Sequence, residues 1–429
     1  MGWWLVLLQT FVAPYGATGE EDHKVRYAIV GTGHRARMWA SELSRHGEIV
    51  ALADLSPARI AVFQRDFPGV PGYAPEDVRQ MLDKERVDVL VVCSVDATHD
   101  THIVTALESG CDVITEKPMT TTVSKCRRIL EAERRSGRRV TVAFNYRYHP
   151  AHEQVKDELA KIGEIGSVHF EWLLDTSHGA DYFRRWHRDR VNSGGLLVHK
   201  ATHHFDLVNW WLGAAPETVT AYGSLFFYGK DAGTKHGYAR DYVRAHGSVE
   251  AADDPFAIDM SVKDDLRELY LDAEHEDGYH RDQNVFGDGV TIEDDMAVLV
   301  RYNTGATMSY HLTAYSPWEG YRIAFNGSKG RLELDMNEAA HGEKVYSASM
   351  RLHEIWQPPR EVPMRHIERG GHGGADGRMI DALVRDPANM PTALDGARSI
   401  LTGLAANESM ATARSVRAHD LLDLSEWER

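Results

Sequence analysis

The sequence predicts an α/β protein: a parallel sheet built from strand–helix repeats, then an α+β domain with a largely antiparallel open sheet. Three observations carry this. The 429 residues exceed one compact core and suit two domains of roughly 100–200 residues each. Up to about residue 149, short apolar runs alternate with helical segments, the pattern of parallel strands with right-handed crossovers. After Pro150 the rhythm changes, and tight turns join successive strands. The expected division is an N-terminal extension or signal-like segment over 1–24, a first domain over 25–149 and a second over 150–429.

The elements follow in order. Val25–Val30 (VRYAIV) is a short apolar run and reads as a buried strand ending at Gly31. Ala36–Ser44 is helical, and Glu48–Ala53 is a second strand with Asp54 at its end. Ala58–Asp66 and Pro75–Leu82 are helical, and Val87–Cys93 (VDVLVVC) is a third, fully buried strand. His102–Ser109 is a helix closed by Gly110, since glycine fits the left-handed cap. Strand Asp112–Thr115, helix Val123–Arg135 and strand Val140–Phe144 complete the first domain. Next come helix Ala151–Ile162, strand Val168–Leu174, helix Ala201–Trp211 and strand Val219–Tyr228. Met296–Tyr302 and Thr307–Thr313 form a hairpin about Asn303–Ala306. Tyr321–Asn326 and Arg331–Leu334 flank a second turn at Gly327–Gly330. Gly229–Gly289 is polar and poorly periodic, either a long substrate loop or an insertion. The end, from Asp376 to about His419, reads as helical.

Composition narrows the class. Lys plus Arg is 48 against 64 Asp plus Glu, a formal charge of −16. That balance argues against nucleic acid or an anionic membrane as partner, because both are polyanions. The three cysteines, Cys93, Cys111 and Cys126, have no C-x-x-C spacing and read as buried free thiols. Gly2–Ala13 is apolar but lacks a preceding Lys or Arg and a clean A-x-A site. It is too short to span a bilayer, and no later run approaches ~20 apolar residues. A cytoplasmic protein is expected, with an exported or periplasmic one as the alternative.

The first strand runs into Gly31-Thr-Gly33-His34-Arg35-Ala36. Gly31 suits a tight turn, Gly33 lets pyrophosphate approach the backbone, and Ala36 allows close helix–strand packing. The helix N-terminus offers unpaired N–H groups to phosphates. Asp54, at the end of the second strand, is placed to accept the ribose hydroxyls and to repel a 2′-phosphate. The pattern predicts a Rossmann domain binding NAD in preference to NADP; Arg35, Arg37 and Arg59 keep NADP open. The competing reading makes Asp54 a helix cap in a non-binding domain.

Five further motifs carry a resemblance. Thr115–Met119 reads TEKPM, Ser94–His99 SVDATH, Asn145–Pro150 NYRYHP, Gly194–Asp206 GGLLVHKATHHFD and Gly371–Asp376 GHGGAD. Together they closely resemble the Gfo/Idh/MocA oxidoreductases, relatives of glucose–fructose oxidoreductase and inositol dehydrogenase, across residues 25–429. The resemblance implies a substrate held between the domains and a homo-oligomer formed through the open sheet. It implies Lys117 and His203 as acid/base groups, with Gly31, Gly33, His34, Arg35, Asp54, Ser94, His99, Glu116, Lys117 and Asn145 about the cofactor. Hydride leaves a carbinol carbon only as the hydroxyl proton departs, so a base must touch that oxygen. A desolvated lysine beside a positive nicotinamide has a lowered pKa.

This sequence departs from the family at one position, where His199 replaces the usual Asp four residues before His203. Helical spacing would put both histidines on one face, and His199 becomes a second candidate proton carrier. H-x-x-x-H is also a zinc spacing, but no third ligand can be placed, so no metal is expected. Tyr146, Arg147, Tyr182, Trp186, His187, Lys200, His204, Tyr321 and His372, with Trp318 and Glu319 nearby, are expected around a small carbohydrate, whose C–H faces stack on aromatics. The expected function is NAD-dependent oxidation or reduction of a secondary alcohol in a sugar, polyol or glycoside. The alternative is an NAD-recycling glycosidase, which oxidises C3 transiently, eliminates the C1 substituent, adds water and returns the hydride.

Overall fold

The structure is a computed structural model describing residues 24–340, 343–368 and 373–428. The signal-like segment and His372 lie outside the described residues. Six strands form the first sheet: β1 (Val25–Val30), β2 (Gly47–Ala53), β3 (Gly72–Tyr73), β4 (Val89–Val92), β5 (Asp112–Thr115) and β6 (Val140–Val142). All pairings are parallel, in the order β3-β2-β1-β4-β5-β6, the doubly wound Rossmann arrangement. Strands covered on both faces need apolar residues at every position. Hence Val89–Val92 is buried throughout.

The second sheet has nine strands: β7 (Ile165–Asp175), β8 (Pro216–Ser224), β9 (Asp295–Tyr302), β10 (Thr307–Ser316), β11 (Trp318–Gly327), β12 (Gly330–Ala340), β13 (Glu343–Glu354), β14 (Arg360–Val362) and β15 (Val416–Arg417). Their order is β14-β13-β12-β11-β7-β10-β9-β8-β15. Only β7 with β10 is parallel; the other pairs are antiparallel. Alternate residues of β7, Val168, Phe170, Trp172 and Leu174, face a core shared with helices Pro150–Leu159 and Thr202–Leu212. The opposite face is open, with Leu299 61% and Tyr222 75% exposed.

Several elements differ from expectation. The strand expected to reach Tyr228 stops at Ser224, because Asp294 takes the N–H groups of Phe226, Phe227 and Tyr228 and turns the chain. The terminal helical stretch is two helices, Ala375–Arg385 and Ala393–Thr412. Pro387 and the Thr392–Asp395 capping box restart the second. β3, β13, β14 and β15 were not foreseen. Gly229–Gly289 is no open loop: Met260, Leu269 and Tyr270 pack among Ile29, Trp39 and Phe63 of the first domain. Cys93, Cys111 and Cys126 are free thiols, and Cys93 is only partly buried. Among the described residues no helix is long and apolar enough to cross a membrane.

Candidate active site

The carboxyl ends of parallel strands are where open α/β sheets bind ligands. Here Val30, Asp54, Cys93, Glu116 and Asn145 from those ends line a cavity of about 640 Å³, closed by residues of the second domain. A wider basin of about 840 Å³ lies on the open face of the second sheet. The buried titratable groups converge on the smaller cavity, so the chemistry belongs there.

At its floor, Gly31 has φ +84°, and a Cβ there would stand 2.5 Å from Ser94 N. Gly31→Ala is therefore expected to cost about 2–5 kcal/mol through left-handed strain and overpacking. A denaturation midpoint equal to wild type would show that the turn relaxes freely. A Cβ on Gly33 would meet only the Tyr270 hydroxyl, at 3.4 Å, so this stretch of backbone is open to a ligand. His34 N, in the first turn of helix His34–Leu43, donates to Tyr270 Oη at 3.0 Å. Asp54 accepts from Thr32 N at 2.6 Å, Thr32 Oγ1 at 3.0 Å, Ser56 N at 2.9 Å and Arg59 Nη1 at 3.2 Å. The helix cap is Ser56, not Asp54.

Arg35 and Asn145 reach the cavity wall but are engaged. Arg35 pairs with Glu116 at 2.5 Å and with Asp376 at 2.7 Å, and Asn145 Nδ2 donates to Asp376 at 2.7 Å. The His99 ring lies between Pro118 O at 2.9 Å and Ser94 O at 3.0 Å. It ties the loop after β4 to the loop carrying Lys117.

Lys117 Nζ donates to His199 O at 3.2 Å. Burial, helped by the Lys200 charge and opposed by Asp96, pulls its pKa down to about 8. His199 Nδ1 lies 2.5 Å from Asp96 Oδ2. Burial pushes the Asp96 carboxyl up and the His199 imidazole down, with the Lys117 charge lowering both, so the contact favours a pair of low net charge. His203 stacks on Tyr146 with centroids 4.2 Å apart. Lys200 Nζ donates to Tyr146 Oη at 3.4 Å. Tyr182, His178, Trp186 and His187 close the far wall, with Tyr182 Oη 3.2 Å from His178 Nε2 and His178 Nδ1 2.7 Å from Glu319. His187 stacks on Trp186 and meets His199 edge-on at 4.2 Å.

The lining thus gathers Gly31, Gly33, His34, Arg35, Asp54, Ser94, His99, Glu116, Lys117, Asn145, Tyr146, Tyr182, Trp186, His187, His199, Lys200 and His203. Five residues expected around the substrate, Arg147, His204, Trp318, Glu319 and Tyr321, do not line it; Glu319 only holds His178 from behind. Arg147 is held by Asp206 at 2.6 Å and Asp395 at 3.3 Å. His204, one residue around the helix from His203, stacks on Trp172 at 3.9 Å and bonds Tyr310 Oη at 2.7 Å. Tyr321 stacks on Trp172 from the sheet side, with its hydroxyl 2.5 Å from His152 Nε2. His199 and His203 also belong to separate helical segments, Leu196–His199 and Thr202–Leu212, so a kinked chain rather than one helical face brings both to the cavity. Among the described residues no group of three His, Cys, Asp or Glu is arranged to hold a metal.

Sequence reasoning missed Asp96, His178, Tyr270, Asp277, Tyr279 and Arg281, all of which line the cavity, as does Arg185 from the charged stretch Asp181–Arg190. Asp96 lay inside SVDATH, and the run Asp277–Asp282 (DGYHRD) is a local cluster of charge and aromatics. The donor set fits a dinucleotide. The glycine turn leaves its backbone clear, and Arg281 Nε and Nη1 are buried in the wall without a hydrogen-bond partner.

A Rossmann sheet with this turn and a half-buried lysine between two domains points to an NAD-binding oxidoreductase. The family model for the NAD-binding Rossmann fold of the Gfo/Idh/MocA oxidoreductases matches residues 25–144, and that for the C-terminal alpha/beta domain matches 156–417. The chain is 39% identical over 387 residues to YteT of Bacillus subtilis (strain 168), described as a putative oxidoreductase, covering 86% of this chain and 89% of that one. It is 31% identical over 196 residues to an inositol 2-dehydrogenase of Acidothermus cellulolyticus, 44% of this chain and 54% of that enzyme. An oxidoreductase from Agrobacterium radiobacter, solved in complex with NAD+, L-tartaric acid and magnesium, shares the fold over 93% of this chain and 100% of its own, with TM-score 0.63 and 16% identity. The protein belongs to the Gfo/Idh/MocA oxidoreductase family.

Proposed function

We propose that the protein oxidises or reduces a secondary alcohol of a sugar, polyol or glycoside, using NAD, with Lys117 and His203 as acid/base groups. The observation that carries this is the half-buried Lys117 amine, its pKa lowered to about 8, in a cavity shared with His203 and the Asp96–His199 pair. NAD, when bound, supplies the hydride acceptor. Lys117 takes the hydroxyl proton in the oxidative direction and returns it in the reductive one. Tyr182 and Trp186 offer flat faces to a sugar ring, while His178 and Lys200 offer polar partners to its hydroxyls. The open face of the second sheet, with its exposed Leu299 and Tyr222, supports a homo-oligomer.

The choice of NAD over NADP rests on two carboxylates. Arg59 is paired with both Asp54, at 3.2 Å, and Asp277, at 2.6 Å, which leaves it poorly placed to receive a 2′-phosphate. Asp54→Ala is expected to weaken NAD by about tenfold, the value of one or two charge-assisted hydrogen bonds, and to narrow the preference over NADP. An unchanged ratio of the two dissociation constants would place the discrimination elsewhere.

A second reading, the NAD-recycling glycosidase, is favoured by the number of proton carriers. Lys117, His203 and the Asp96–His199 pair exceed what one alcohol oxidation uses. A panel of free sugars, polyols and aryl glycosides, followed for both NADH absorbance and aglycone release, separates the two. NADH accumulating with free sugars or polyols establishes the dehydrogenase. Aglycone release with catalytic NAD and no net NADH establishes the glycosidase. Neither signal across the panel would remove the carbohydrate assignment.

A further inference from the structure

We propose that Gly229–Gly289 is a strap over the cofactor and that its Arg281, together with Arg185, binds the dinucleotide pyrophosphate from the second domain. The inference rests on the NAD reading above and adds a binding group outside the glycine turn.

Among the described residues the charge around Arg281 is only partly compensated. Its side chain is 10% exposed, and the nearest carboxylate is Asp181, 3.7 Å from Nη2. Asp181 is already taken by Arg185 at 2.7 Å and lies 3.4 Å from Arg184. Three guanidinium groups therefore share one carboxylate. Arg281 Nε and Nη1 and Arg185 Nε have no hydrogen-bond partner among the described residues. Buried cations in this state are costly unless an anion arrives to pair with them.

Position selects the anion. The Arg281 guanidinium lies 4.5 Å over the Tyr270 ring. The hydroxyl of that ring accepts from His34 N at the start of the ten-residue helix after the glycine turn. Excess positive charge from the strap thus stands beside the positive end of the helix dipole, where the turn directs phosphates. Tyr270 Oη, accepting from His34, keeps its own proton to donate into the cavity.

The strap is held firmly enough to place that charge. Arg59 Nε donates to Leu269 O at 2.7 Å, Ala58 N to Glu276 at 3.1 Å, and Arg65 Nη1 to Glu268 at 2.8 Å. Leu269 is fully buried against the first domain. A cofactor beneath it would be gripped from both domains and released slowly.

The test uses the full-length protein and the variants Arg281→Met and Arg281→Lys. Calorimetry gives dissociation constants for NAD and for ADP-ribose, which keeps the pyrophosphate but lacks nicotinamide. Arg281→Met is expected to weaken both by about 10- to 100-fold, as for loss of a charged hydrogen bond, and to speed NADH release in stopped-flow fluorescence. Arg281→Lys, which keeps the charge, should recover part of the loss and control for folding. Unchanged affinity for NAD and ADP-ribose in Arg281→Met overturns the proposal. Unchanged cofactor affinity with a raised substrate KM also overturns it and assigns the guanidinium to a substrate anion. Wild-type protein that binds neither NAD nor NADP would defeat the cofactor reading itself, a different failure.

Discussion

Lys117→Met should lower kcat by about 10³-fold or more while NAD remains bound. The variant removes the amine proposed to exchange the substrate proton, and general acid–base catalysis is worth about 10²–10⁴-fold. Lys117→Arg should be nearly as inactive, because a guanidinium keeps the charge but does not give up its proton. The wild-type pH profile follows from the same group. Burial disfavours the ammonium, so the neutral amine becomes the main form above about 8. Oxidation needs that neutral form, and kcat/KM in that direction should rise through pH 8. Reduction needs the ammonium, and its kcat/KM should fall over the same range. Near-normal turnover in Lys117→Met, or profiles flat through pH 8 in both directions, would remove Lys117 from the chemistry.

Legibility in the sequence tracked the kind of packing. Parallel strands such as Val89–Val92, buried on both faces, must be apolar throughout, and such runs stand out against charged helices. The strand Glu343–Glu354, paired on both sides near the end of the second sheet, buries Met350 and Leu352 with exposed Ser349 and Arg351 between them, and was overlooked. Gly229–Gly289 defeated periodicity for another reason. It is held by separate ion pairs such as Arg59–Asp277 and by isolated side chains such as Leu269, none of which recurs at a fixed spacing. In the site, residues fixed by local motifs were recognisable: Gly31 by its turn, and Lys117 and His203 by their signatures. His204 and Tyr321 carry similar side chains but face Trp172 beneath the cavity. Composition cannot tell the two sides of a helix or strand apart without register. Asp96 is the instructive miss. Its partner His199 belongs to the other domain, so neither residue announces the pair in its own segment.

That pair yields the second large effect. His199 stands four residues before His203, and the Asp96 carboxylate of the first domain reaches it, with Oδ2 2.5 Å from His199 Nδ1. On the proposed function Asp96 is a positioning residue: its contact with Nδ1 would set the imidazole tautomer and leave Nε2 to exchange protons. Asp96→Asn should lower kcat by about 10²-fold, shift the pH profile, and leave NAD affinity unchanged. Asp96→Glu should restore part of the rate, since it keeps the carboxylate. The decisive measurement is the cycle of Asp96→Asn, His199→Gln and the double variant. Groups acting as one unit give a double variant no slower than the worse single, because the second substitution has nothing left to remove. Rate losses that multiply would mean that the two residues work independently. The carboxylate would then be packing beside the site, and the histidine at position 199 would need another source of orientation.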